Sequence, residues 1–512
     1  MRIQLFIVLM SLSLSKAYGQ SQYLDSNFNG AGYLQTDYKS KSYDELSNIK
    51  LSNNALYAFG RVAIEDYKFY ESGFGVLKHN LTSGLDPTFG NQGKGHYYFD
   101  SYHSANSTRD VYPYADGSFL ILSDLGLTKI NQNGVLDPGF AFNGKQEFEY
   151  GQKKYTRLLV LPNNKIYVFG QKGDDLYIER YNPDGFFDFS FGNQGTLTLD
   201  VGSLDIINDA KLLNDGKILI TGYSQKQVNN NSSGNTRYNF IKKINQDGTL
   251  DPAFNYDNIP SMYDNPGYFK KMLVDDSNTY AYIINKVSEC DHRVLKVNLQ
   301  TLVSSNIFIN PSGTPWLCSN LNPKYVINDI ILDGNKIYIA GTEKVNANNS
   351  MWLTRYNLDG TMDTAFANQG KFNYFTYTGN PNSPVDDIVN LESIQLASDG
   401  SLYGGGRLNN DFLVFKILKS LTLDVNEAKS DKTNILRVYP NPVKDLLFAE
   451  NKNLTGSIQI SVYDMSGKLV KKQSVDSRSE KVSVDLSDLI SGNYVVQYEA
   501  KNFSQSVRII KK

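Results

Sequence analysis

The chain has 512 residues, with 51 lysines and arginines against 53 aspartates and glutamates, for a formal net charge of −2. That balance lacks the basic field a nucleic-acid partner requires, and the length suits about three domains, or one large repeat array plus a small domain. Forty glycines and 35 tyrosines, in a sequence that is 40% hydrophobic, point to short strands joined by tight turns rather than to buried helices.

Arg2 gives a short positive segment, Ile3 to Ser15 is apolar, and Ala17-Tyr18-Gly19 places small residues before Gln20. This pattern predicts a signal peptide over 1–19, too short and wrongly flanked for a transmembrane helix, with no membrane-spanning segment after its removal.

Residues 20–420 are dominated by internal repetition. Clear copies are Asn80 to Gly93 (NLTSGLDPTFGNQG), Asn131 to Gly144 (NQNGVLDPGFAFNG) and Asn182 to Gly195 (NPDGFFDFSFGNQG). Asn245 to Asn255 and Asn357 to Gly370 join them, a partial copy opens at Leu24, and a worn one runs from Val297 to Phe308. The motif phenylalanines are Phe28, Phe89, Phe140, Phe191, Phe254 and Phe366, spaced 61, 51, 51, 63 and 112 residues apart. Ahead of each copy runs strand, turn and strand ending in Gly, as in Leu158 to Gly170, Ala210 to Gly222 and Asp329 to Gly341. GGGR at Gly404 to Arg407 reads as one such strand end.

Period-two alternation bounded by Asn-Gly and Asp-Gly turns gives about four strands per unit and seven units. The expected fold class is therefore all-β: a seven-bladed β-propeller, with six or eight blades and a linear solenoid as alternatives. The segment Gly32 to Tyr38 is expected to complete the last sheet beside Phe412 to Leu418. The G-x-L-D-x-x-F-G-x-x-G element resembles the delta-60 repeat of bacterial secreted and surface proteins, which implies a propeller and says little about activity.

Within the motif, Gly248 suits a positive φ, and Asp251 with Asn245 and Asp247 suits side-chain capping of a turn, in preference to a calcium loop without its terminal Glu. The phenylalanines read as plugs between neighbouring blades. Catalytic, cofactor and metal residues are all assigned as none. The four histidines (His79, His96, His103, His292) lack metal or triad spacing, and Cys290-x-His292 lacks further soft ligands. Cys290 and Cys318 can form a disulfide if their Cα atoms lie within about 7 Å.

Composition shifts after Leu418. Residues 421–434 are polar and patternless, a linker. Residues 435–512 alternate again in several short strands, which predicts a small immunoglobulin-like β-sandwich. Tyr439-Pro440-Asn441-Pro442, the hairpin ending at Gly467, Gly492 with Tyr494, and Lys511-Lys512 closely resemble the type A C-terminal sorting domain of the type IX secretion system. The resemblance implies the secretion machinery as partner and a secreted or outer-surface location on a Gram-negative bacterium. For the propeller, the expectation is a binding or adhesion module for a glycan or protein. The alternative is a hydrolase or lyase with its site in the central channel.

Overall fold

The computed structural model describes residues 23–38, 44–63, 72–82, 84–99, 107–149, 153–227, 235–258, 267–288, 291–309, 324–345, 348–378, 389–418, 436–451, 454, 456–464, 468–477, 481–500 and 503–512. The signal segment 1–19, the linker 421–434, Cys290, Cys318 and Gly467 lie outside the described residues. The chain divides into two compact units, 1–420 and 421–512.

The described part of the first unit consists of seven antiparallel sheets. Sheet 1 holds Glu45–Ser52, Ala55–Ala63, Ser72–Asn80 and Lys94–Tyr97, with the short Gly84–Leu85 also on its third strand. Sheet 2 holds Thr108–Pro113, Phe119–Ser123, Gly126–Ile130 and Lys145–Glu147; sheet 3 holds Lys153–Val160, Ile166–Lys172, Asp175–Tyr181 and Thr196–Leu199. Sheet 4 holds Leu204–Leu212, Ile218–Gln227, Asn235–Ile244 and Leu250–Asn258; sheet 5 holds Tyr268–Val274, Tyr280–Lys286, His292–Asn298 and Ser304–Ile309. Sheet 6 holds Lys324–Asp333, Lys336–Val345, Asn348–Asn357 and Lys371–Thr378. Sheet 7 holds Val389–Leu396, Leu402–Leu408 and Asp411–Ile417, and its fourth strand is Tyr33–Thr36 from the start of the chain, paired Tyr33 to Phe415 and Thr36 to Phe412.

The first strands of successive sheets pack side by side, and the first strand of sheet 7 packs on that of sheet 1, so the seven close on themselves. The cores lie in the seams. Tyr57, Phe59 and Phe89 of sheet 1 share one buried cluster with Val111, Phe119 and Ile121 of sheet 2. Leu402, Leu413 and Phe415 of sheet 7 pack with Met351, Leu353 and Phe366 of sheet 6. Alternation along each strand presents one apolar set to each neighbouring sheet, which is why the buried strands read as nearly continuous apolar runs.

One irregularity recurs in all seven sheets. The pairing of first and second strands slips by one residue at Ser47, Arg109, Thr156, Asn208, Lys270, Asn328 and Glu392. The glycine expected to end the second strand sits opposite this bulge instead. A Cβ on Gly170, Gly222, Gly341 or Gly406 would lie 2.1, 1.8, 1.8 and 1.9 Å from the first-strand carbonyls of Lys154, Ile206, Val326 and Asn390. The strands run on past it, to Lys172, Gln227 and Val345, and Gly404 to Arg407 are internal to Leu402–Leu408. The expectation of strand ends is therefore corrected: in these sheets the bulge pushes a backbone carbonyl into the space a side chain would need, and Gly leaves room for it, whereas sheets 2 and 5 carry Ser123 and Asn285 at the same position.

The second unit has two sheets. Arg437–Tyr439, Leu446–Glu450 and Lys481–Asp485 form one; Leu469–Ser477, Gly456–Asp464, Gly492–Ala500 and Phe503–Lys511 form the other. Leu447, Ala449, Val482 and Val484 of the first bury against Ile458, Ile460, Val496, Tyr498 and Ile509 of the second.

Candidate functional site

The motif residues come together in the seams. Phe28, Phe89, Phe140, Phe191, Phe254 and Phe366 are all buried. Four of them meet a tyrosine of their own sheet edge-on: Phe28 with Tyr403, Phe89 with Tyr57, Phe191 with Tyr167 and Phe366 with Tyr338, at centroid distances of 5.3–5.9 Å. Phe89, Phe140 and Phe191 also lie on Gly134, Gly185 and Gly248 of the next sheet's turn, so each ring spans a seam. The motif aspartate accepts the N–H two residues on in every clear copy, Asp251 from Ala253 at 3.0 Å, and pairs with a lysine or arginine, Asp251 with Lys217 at 2.7 Å. These carboxylates are spent on turns and ion pairs.

The bulges leave first-strand backbone groups unpaired, and side chains of the neighbouring sheet supply partners. Thr156 donates to the carbonyl of Ile207 at 2.7 Å, Asn208 to that of Phe269 at 2.6 Å, Lys270 to that of Ile327 at 3.3 Å, and Asn328 to that of Leu391 at 2.9 Å. The following residue reaches the same way. Asp110, Asp209 and Asp329 accept the N–H of Leu158, Met272 and Ile394 at 3.1, 2.8 and 2.9 Å. Between them stand Arg157, 3.0 Å from Asp209, and Lys271, paired with Asp329. The sequence in sheets 2 to 6 is thus Asp110, Arg157, Asp209, Lys271, Asp329, alternating in sign; Ser393 of sheet 7 and Asn48 of sheet 1 interrupt it.

Charges from opposite sheets converge here. Burial pulls Lys50 of sheet 1 below its ordinary value, with Asp110, Lys271, Asp329 and Lys211 as its charged surroundings. Burial likewise lowers Lys270 and raises Glu392, each the other's strongest charged influence, while Asp209 and Asp110 overcome burial to keep Arg157 charged. For Asp209, burial opposes ionisation but Lys211 and Arg157 hold the carboxyl below the usual range. No residue of this axial set stands out in the sequence by type or motif. The recurring Asn-Asp of IINDAKL and VINDIIL, ahead of the glycine-bearing strand, is the signal that could have found it.

A second feature lies at the seam of sheets 5 and 6. In sheets 1, 2, 3 and 6 the F-G-N-Q-G loop intervenes between the third and fourth strands, whereas in the worn copy the chain turns at Asn298, whose side chain accepts the N–H of Gln300 and Thr301, and enters Ser304–Ile309. The result is an open groove of about 580 Å³ lined by Tyr280, Lys296, Asn298, Ser305, Asn306 and Asp359 among others. The Lys296 ammonium sits 4.2 Å from the Tyr280 ring centroid and donates to the carbonyl of Leu358 at 3.3 Å. Asp359 accepts from the Thr361 hydroxyl and N–H, which holds its carboxyl below the usual range.

Among the described residues, two groups of carboxylates are close enough for a metal ion, Asp37 with Asp44 and Asp411, and Asp175 with Asp200 and Asp205. Neither contains a motif residue. Buried Asp205 is already occupied by the N–H groups of Val201 and Gly202 and the Ser224 hydroxyl.

In the second unit, markers far apart in sequence assemble at one edge. The Asn441 side chain donates to the carbonyl of Arg508 at 3.0 Å and accepts the Ile510 N–H at 2.9 Å. Val443 donates to Ile510 and accepts from Lys512, both at 2.8 Å, so the Tyr439-Pro440-Asn441-Pro442 segment lies along the strand that ends in Lys511. Lys481 donates to the Tyr439 hydroxyl at 2.8 Å, the peptide bonds before Pro440 and Pro442 are cis, and Tyr494 beside Gly492 donates to the Ile490 carbonyl at 2.9 Å.

These residues fall within 437–512, which match the secretion system C-terminal sorting domain family. Residues 213–254 and 335–366 match the DUF5122 β-propeller family, a domain of unknown function. The chain is a propeller-like repeat protein with a type IX secretion sorting domain. The sorting domain makes it a protein delivered to the exterior or the cell surface. No curated protein matches the chain. Among solved structures it resembles a streptogramin B lyase, at 11% identity and TM-score 0.44 over 75% of this chain and 97% of that one. It also resembles the extracellular domains 1–2 of Drosophila semaphorin 1a, at 10% identity and TM-score 0.40 over 78% and 90%. Among the described residues no helix is long and apolar enough to cross a membrane.

Proposed function

We propose that this propeller-like protein is a seven-bladed, delta-60-type binding or adhesion module, delivered outside the cell by its tail and recognising a glycan or a protein. The proposed organisation is a signal peptide over 1–19, the propeller over 20–420, a linker over 421–434 and an immunoglobulin-like sorting sandwich over 435–512, with release or display following export. The closed succession of seven first strands supports the blade number, and the shared core of the two C-terminal sheets supports the sandwich.

The observation that carries the binding reading is the groove between sheets 5 and 6. It is of ligand size, it carries hydroxyl, amide and charged groups beside a tyrosine, and it stands where the worn repeat lacks the loop found in sheets 1, 2, 3 and 6. Binding of the mature protein on glycan and protein arrays tests this, with Tyr280→Ala and Asn306→Ala expected to weaken the signal. Array binding untouched by both substitutions overturns the assignment to the groove.

The second reading, a hydrolase or lyase at the axis, draws on Lys270 and Glu392, whose burial moves the two groups toward each other's titration range. Turnover of polysaccharides, peptides or esters that disappears in Glu392→Gln would establish it.

A further inference from the structure

We propose that the groove between sheets 5 and 6 takes an uncharged oligosaccharide, with the Lys296 ammonium and the Asn298 amide donating to its hydroxyl oxygens. The inference rests on the reading of this groove as the binding site and names the chemistry of its ligand.

Strand register builds the floor. Tyr280 pairs with Asn298 and Lys296 with Ser305, and residues two apart share one face of a strand, so these four side chains stand next to one another. Residues 303–307 also line the groove, and successive strand residues point to opposite faces. The groove therefore follows the outer edge of Ser304–Ile309, the last strand of its sheet, where Ser304, Ser305 and Asn306 are exposed. Leu358 and Asp359 supply the sheet 6 side.

The charges of the lining cancel. Among the described residues it contains two charged side chains, Lys296 and Asp359. Lys296 lies 4.2 Å from the Tyr280 ring centroid and gives one of its three N–H groups to the Leu358 carbonyl at 3.3 Å. Asp359 accepts the N–H and the hydroxyl of Thr361 at 2.8 and 2.6 Å. Lys336, a further cation that influences Asp359, is itself 3.0 Å from Asp363. A carboxylate drawn to Lys296 thus also meets Asp359, and an ammonium drawn to Asp359 also meets Lys296. A ligand of either charge is opposed, and a neutral one is not.

Sugar hydroxyls donate and accept at once, which matches what the walls offer. The Asn298 side-chain oxygen is taken by the N–H groups of Gln300 and Thr301, both at 2.9 Å, which leaves its amide N–H groups as donors. The two serines and Asn306 supply donors and acceptors together. A polypeptide fits less well. Protein interfaces are poor in lysine, aspartate and serine at their cores and are anchored by aromatic or arginine side chains in desolvated pockets. Here those three polar types make the walls, and the aromatic ring already carries an ammonium.

Calorimetric titration of the full mature chain tests this. The neutral probes are cellotriose, laminaritriose, mannotriose and maltotriose; trigalacturonate is the anion, chitosan trimer the cation, and a set of extended peptides completes the panel. At least one neutral trimer should bind saturably, with trigalacturonate and chitosan trimer at least about tenfold weaker. Tyr280→Ala and Lys296→Met should each lower the neutral affinity at least about fivefold. Asp359→Asn leaves the lining with one positive charge in excess, and should raise trigalacturonate affinity relative to the neutral trimer at least about threefold. No neutral binding, equal binding of trigalacturonate, or an unchanged ratio in Asp359→Asn overturns the proposal. Binding of trigalacturonate or a peptide alone, lost in Tyr280→Ala, overturns the neutral-sugar assignment and leaves the groove as the site. Neutral binding untouched by both Tyr280→Ala and Asn306→Ala removes the groove itself. Should Tyr280→Ala or Lys296→Met fail to fold, the ratio in Asp359→Asn, a change at an exposed turn residue, still decides.

Discussion

The ring of Phe191 closes on the α-carbon of Gly248 in the next sheet: a Cβ placed there would stand 3.1 Å from Phe191 Cε2 and 3.0 Å from Leu197 Cδ2. Gly248 also has φ +96°, a conformation that L side chains rarely adopt. Gly248→Ala therefore meets backbone strain and overpacking together, and should cost about 2–4 kcal/mol. Asp251→Ala, which loses a turn cap and a solvent-screened ion pair, should cost less than Gly248→Ala. Urea unfolding of both variants tests the order, which is reversed if the turn rather than the ring contact holds the seam.

Two phenylalanines of one loop should behave oppositely. Phe140 is fully buried, whereas Phe142 is 70% exposed and stands where other copies carry Asn. Phe140→Ala should lose about 3–5 kcal/mol, and Phe142→Asn less than about 0.5 kcal/mol. Equal losses would show that the loop acts as a unit and not through its plug.

His79 and His292 are fully buried, and His79 has no hydrogen-bond partner on either ring nitrogen. Burial pushes both imidazoles down to about 3, with Lys270 and Lys286 adding to the effect on His292. The unfolded chain takes up these protons below about pH 6.5 while the folded one does not, so stability falls as pH drops from about 6.5 toward 3. At pH 5 each histidine should have cost about 2 kcal/mol. His79→Leu should flatten the difference between unfolding midpoints at pH 7.5 and pH 5. A wild-type midpoint that does not change over this interval would refute the assignment.

Asn441 joins the first segment of the sorting domain to its last strand through two hydrogen bonds. Asn441→Ala should destabilise this unit by about 1–2 kcal/mol and lower the extracellular fraction of the protein in cell fractionation. The first unit should keep its own unfolding transition. Full export of the variant would separate the hydrogen-bonded edge from recognition by the secretion machinery.

The repeat is legible in the sequence because one chemical need recurs. An aromatic plug, a capped turn and a glycine beneath the ring must stand at fixed offsets, so Phe140, Asp137 and Gly185 announce themselves as letters. Sheet closure is legible too: the alternating segment around Tyr33–Thr36 has no partner near it in sequence, and Asp411–Ile417 ends the array with a free edge. The bulges pass for strand ends because a glycine looks the same whether it stops a strand or makes room for a carbonyl. The axial charges stay hidden for a different reason. Arg157 and Asp209 are 52 residues apart, and only the stacking of sheets brings them to 3.0 Å. The groove is invisible in principle to motif reading, since it is formed by what the worn copy lacks.

Sheet 7 is completed by two strands far apart along the chain, Tyr33–Thr36 and Asp411–Ile417. Until Asp411–Ile417 has been synthesised, Tyr33–Thr36 has no strand to pair with and the first and last sheets have no seam between them. The sorting domain begins just beyond this closing strand. A ribosome that stops early therefore yields a product missing both its latch and its passport, so the order of segments along the chain ties the completeness of the ring to permission to leave the cell.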